Sequence, residues 1–129
     1  MNHPNAQLLY RLYEDFAKGD LTAVLAACGD GMTFQVAGKS KLAGKFTKEN
    51  FVPGFVTPLV ELSGGTIKIE VHDILASDRH GVVLASDLLT RGGKQIQLRT
   101  AHIWRFENGK PVAWYEYPRD LYQYDEIWS

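Results

Sequence analysis

The chain has a single cysteine, Cys28, so no internal disulfide can staple it. Cys28 lies in an apolar helical run, where a small buried side chain suits it better than a reactive thiol. Excess charge of either sign is also missing: acids and bases nearly balance, at a formal charge of -1. The lysines at 39, 41, 45 and 48 gather in one stretch that reads as a surface loop, which argues against nucleic acid as a partner. No stretch approaches the roughly 20 apolar residues that span a bilayer, and no basic start leads into an apolar run. A membrane partner is therefore not expected, and a cytoplasmic location is. His3, His72 and His80 are scattered without ligand spacing, so no metal site is expected. Internal repeats and low-complexity segments are lacking too, and 129 residues suit one domain covering residues 1–129.

What is present is periodicity. Leu8, Leu9, Leu12, Tyr13 and Phe16 recur at helical spacing over residues 5–18, between Pro4 and Gly19. Asp20 can cap a second helix over 21–28, which stops at the Gly-Asp-Gly of residues 29–31. Residues 32–37 read as a short strand, and the polar, glycine-containing stretch 38–48 as a loop, expected to be a mobile gate. Phe51, Phe55 and Leu59 then repeat every four residues in a helix that Pro53 and Pro58 must break or kink, ended by Gly64-Gly65. From Thr66 the period becomes two. Strands are expected over 66–77, 82–90, 95–106 and 112–117, with hairpin signals at Gly92-Gly93 and Asn108-Gly109, which makes an antiparallel meander. The tail over 120–129 spaces Leu121, Tyr124, Ile127 and Trp128 as on a helix that closes the structure or reaches a partner. Helices first and strands afterwards indicate an α+β fold with the helices on one face of the sheet.

The phrases LYEDFAKGDLTAVLAA at 12–27, FQVAGKSKLAG at 34–44, HIWRFENGKPVAWYEYPRD at 102–120 and the closing YDEIWS carry a resemblance. Together they resemble the SnoaL-like polyketide cyclase branch of the nuclear-transport-factor-like, or ketosteroid isomerase-like, superfamily. The resemblance implies a cone: a curved, mostly antiparallel sheet wrapped by the N-terminal helices around a pocket, a cystatin-like α+β barrel. It also implies a small apolar molecule as partner, a homodimer, and no metal or organic cofactor. Function does not follow from the fold, since the superfamily spans isomerases, cyclases, hydrolases, lyases and non-enzymatic domains.

Strand alternation puts His102, Trp104 and Phe106 on one face of their strand, and Trp114 with Glu116 on one face of the next. By resemblance, His102 stands where ketosteroid isomerases carry an oxyanion-stabilising acid, Glu116 where SnoaL-like cyclases carry a catalytic Asp, and Gln35 where the isomerases keep their base. Gln35 cannot accept a proton at neutral pH, and Leu12 stands in for the isomerase's helix-borne Tyr, so steroid-type isomerisation is not expected. The candidate catalytic set is His102, Glu116 and Gln35. The candidate pocket wall is Leu12, Phe16, Phe51, Phe55, Trp104 and Trp114. A His and a carboxylate sharing a proton suit acid-base chemistry of an isomerase, lyase or hydrolase on an apolar, cyclic substrate. The plainer alternative pairs Glu116 with Arg119 or Arg99 at the rim and leaves a pocket that binds without turnover. Asp73 and Asp87 are read as solvated strand residues.

Overall fold

A computed structural model describes residues 3–129. Two helices open it, α1 (Pro4–Ala17) and α2 (Leu21–Ala27). His3 accepts the Asn5 N–H at the start of α1 and Asp20 accepts the Ala23 N–H at the start of α2, so both helices begin on a side-chain cap. Such a cap contributes about 1 kcal/mol. The buried Leu9 and Leu12 of α1 contribute more, roughly 1.5–3 kcal/mol each, and decide which face meets the sheet. Gly81 allows that contact: a Cβ there would stand 2.6 Å from the Leu9 side chain.

The strands are β1 (Thr33–Val36), β2 (Gly44–Thr47), β3 (Lys68–Ala76), β4 (His80–Arg91), β5 (Lys94–Glu107) and β6 (Lys110–Pro118). They form one curved sheet in the order β2-β1-β6-β5-β4-β3. Only the β1–β6 pair is parallel. The sheet stays open, with β2 and β3 as its edges. The meander β3 to β6 matches the sequence reading. Its tight turns use Gly92-Gly93 and Asn108-Gly109, all at positive φ, the backbone that a two-residue hairpin requires.

Two local readings change, and a third, left open between two alternatives, is decided. The stretch read as a mobile loop contains β2, an edge strand paired along its length with β1. Its approach is tied down as well: the Lys39 N–H donates to Asp125 and the Lys41 N–H to the Trp128 carbonyl. Four residues with little apolar alternation gave no strand signal, and a lysine on such an edge discourages further pairing. Second, the prolines do not break the aromatic helix. A π-helical turn (Val52–Val56) runs into α3 (Thr57–Leu62), and the Thr57 N–H reaches back to the Val52 carbonyl. That wide turn absorbs Pro58, which has no N–H to give. Third, the tail forms α4 (Leu121–Ile127) and packs inward, with Tyr124 and Trp128 fully buried.

Candidate active site

Between α1, the π-helical turn and the concave face of the sheet lies a cavity whose empty space, counted out to solvent, is about 580 Å³. Its wall includes Leu12, Phe16, Phe51, Phe55, Trp104 and Trp114, the six side chains assigned to a pocket above. Phe34, Leu59 and Ile69 join them. The rings interlock: Phe51 stacks on Phe34 at 3.8 Å and on Phe55 at 5.4 Å, and Trp114 meets Phe55 edge-on at 5.9 Å. Such packing fixes the wall without filling the space, as in most small-molecule sites.

Four ionisable side chains enter this apolar cavity: Tyr13, Asp87, His102 and Glu116. His102 and Glu116 face each other across β5 and β6 in register and are each only 3% exposed. Their closest atoms, His102 Nε2 and Glu116 Oε2, are 3.6 Å apart. The Trp104 Nε1–H donates to the Tyr13 oxygen at 3.1 Å, and the Tyr13 hydroxyl meets His102 Nδ1 at 2.6 Å. In the tautomer that fits this chain, Tyr13 donates to Nδ1 and the ring carries its proton on Nε2, toward Glu116. Burial, reinforced by the charge of Glu116, pushes the Tyr13 phenol well above its usual range, so it remains a donor.

Glu116 is held from two sides. The Tyr124 hydroxyl of α4 donates to Oε1 at 2.9 Å and the Thr100 hydroxyl to Oε2 at 3.1 Å. The arginines proposed as its rim partners do not reach it; among the described residues no ion pair joins Glu116 to Arg99 or Arg119. Asp87 supplies the largest correction. It is not solvated: it is buried on the concave face of β4 and hydrogen-bonds with Glu116. Burial first, then the charge of Glu116 and the hydrogen bond to it, hold its carboxyl well above the usual range. Asp73 does lie exposed. An acid in line with the apolar Val83, Ala85 and Leu89 was the signal that could have revealed Asp87.

Two further placements differ. Gln35 lies on the other face of β1 from the buried Phe34 and Val36, and it is Phe34 that lines the cavity, so the geometry brings Gln35 to neither His102 nor Glu116. Alternation over a four-residue strand decides this. On α1, Leu12 does line the cavity, but the phenol thought to be replaced by it is present one residue on, as Tyr13. Among the described residues no group of three or more His, Cys, Asp or Glu is arranged to hold a metal ion. No helix is long and apolar enough to cross a membrane.

A family model described as the SnoaL-like domain matches residues 9–114. Among solved structures, Bal32a from a soil-derived mobile gene cassette is 26% identical at a TM-score of 0.88, over 98% of this chain and 97% of that chain. An NTF2-like protein of unknown function from Burkholderia pseudomallei is 25% identical at a TM-score of 0.80, over 98% of both chains. An LEH-like epoxide hydrolase from M. tuberculosis shares the fold at a TM-score of 0.68 and 16% identity, over 97% of this chain and 89% of that chain. A search of the curated proteins finds no match.

Proposed function

Since this chain belongs to the SnoaL-like domain family, we propose that its cavity binds a small, apolar, cyclic molecule and carries out acid-base chemistry on it through His102 and Glu116. The observation that carries the reading is the pair itself: two ionisable side chains 3.6 Å apart, buried in a cavity otherwise walled by aromatic and aliphatic groups. A fold gains little from burying such a pair, since desolvation offsets the attraction between its members. Proton exchange with a bound molecule gives the arrangement a use. The fold shared with an epoxide hydrolase supports the same class of chemistry and names no substrate.

A second reading has its own support. Glu116 already accepts hydroxyls from Tyr124 and Thr100, and His102 is already met by Tyr13, as expected of a cavity that binds without breaking a bond. The double substitution His102→Asn with Glu116→Gln separates the two readings. It removes proton transfer while nearly preserving volume and hydrogen-bonding capacity. Against cyclic ketones, lactones and epoxides, turnover is expected to vanish with the melting temperature little changed. Unchanged binding together with a loss of about 2 to 4 kcal/mol would instead make the pair a part of the core.

A homodimer and a cytoplasmic setting belong to the same proposal. The outer face of the sheet supports the dimer: Leu75, Val82, Ile103 and Tyr115 follow one another across four strands, beside Leu84, Ala101 and Tyr117. Leu75 and Tyr117 are 53% and 54% exposed, an apolar stripe that a second copy would cover.

A further inference from the structure

We propose that Asp87 and Glu116 form an acid–carboxylate dyad, and that Asp87 is the catalytic residue that gives a proton to the bound molecule. The inference rests on the small-molecule reading above. The two acids come from strands separated by β5. Asp87 pairs in register with Leu98 of β5, while Glu116 pairs with His102. Between these rows the inward residue of β5 is Thr100, short enough for the longer glutamate to reach over it and donating its hydroxyl as it does so. Two buried carboxyls thus meet in a cavity wall that holds no lysine or arginine. Two such groups in contact cannot both be charged without a cation, and one proton between them removes the repulsion.

The surroundings decide which oxygen keeps that proton. Glu116 accepts hydroxyls from Tyr124 and Thr100, the environment of a carboxylate. Burial holds the carboxyl of Asp87 well above its usual range, the environment of an acid. Tyr13, His102 and Tyr124 are the other titratable groups around the pair, and Tyr13 and Tyr124 stay protonated through burial.

With a ketone bound, the balance closes on these residues alone. Glu116 takes a proton from the carbon beside the carbonyl, and the freed electron pair forms the carbon–carbon double bond of the enol. The carbonyl π pair moves onto oxygen, which takes the Asp87 proton. Glu116 is then the acid and Asp87 the anion. One proton crossing their existing contact restores the starting state. An anionic molecule is disfavoured, because the wall holds no lysine or arginine to offset its charge next to Glu116.

Infrared spectra of protein carrying isotope-labelled aspartate test the dyad without any ligand. A protonated aspartate carboxyl is expected at neutral pH in the wild type and absent from Asp87→Asn; no such band in the wild type overturns the dyad. Deuterium uptake by 2-tetralone in heavy water tests the catalysis. The wild type is expected to accelerate it, and Asp87→Asn, verified as folded by circular dichroism, to slow it on the order of 100-fold. Equal rates with the band present would leave Asp87 a structural acid and overturn its catalytic role. A wild type that neither binds 2-tetralone nor accelerates exchange defeats the acid-base reading of the pocket and that role with it, while the infrared band still decides whether the dyad exists.

Discussion

Ser86 and Asp87 are consecutive residues of β4, both buried, and they belong to opposite faces of the sheet. On the outer face Ser86 meets His72 Nε2 at 2.8 Å and accepts from the Gln97 amide at 3.1 Å. On the concave face Asp87 meets Glu116, with His102 and Tyr13 beyond it. The outer cluster centres on a neutral hydroxyl and sits in partners that reach solvent, so it costs the fold little. The concave cluster gathers two acids around a histidine with no lysine or arginine among its lining residues, which a fold seeking only stability would replace. The contrast separates a polar group tolerated by the structure from one that the structure was shaped around.

If the outer face is covered by a second copy, its apolar stripe is the largest thing a single change can disturb. Light scattering at micromolar concentration is expected to give twice the chain mass for the wild type and the single-chain mass for Leu84→Glu. A wild type that stays monomeric would break this side of the comparison and leave the stripe unexplained.

A smaller effect is expected at Ser86. Ser86→Ala removes the shared hydroxyl from His72 and Gln97, and both can turn to water, so urea unfolding should register a loss of about 1 kcal/mol. Ligand binding in the cavity should not change, because the substitution lies on the other face. Altered binding would mean that the two clusters are coupled through β4.

A change of opposite sign is expected at Asp87. Its folded carboxyl keeps a proton that the unfolded chain releases above 3.8, so the folded state binds more protons as pH rises past that value. Wild-type stability from this group is therefore complete below 3.8 and declines as pH rises toward the folded value. Asp87→Asn has no such decline. Thermal unfolding should show the two proteins alike in acid and the variant gaining relative to the wild type toward neutral pH. Cys28, pushed up to about 11 by burial, titrates outside this window. Identical pH slopes would place Asp87 in an ordinary solvated state.

The sequence by itself determined what local periodicity can encode. The 3.6-residue spacing of Leu9, Leu12 and Phe16 made α1 and aimed it, and alternation made the meander and put His102, Trp104, Trp114 and Glu116 on its concave face. The turn glycines fixed the hairpins, because few other residues adopt their backbone. Tertiary structure alone decided what meets across strands that alternation treats separately. Glu116 reaches over Thr100 to Asp87 because β5 lies between β4 and β6 in one particular register, and a slip of one residue would turn those side chains away. Tyr124 comes from a helix eight residues further along the chain and finds Glu116 only because α4 folds back onto the sheet. β2 exists because β1 offers it an edge, and Gln35 leaves the cavity to Phe34 because β1 is seated parallel to β6 in that register. Spacing along a chain carries the direction of a side chain but not the identity of its neighbour, which depends on which strands pair and how far the sheet curves.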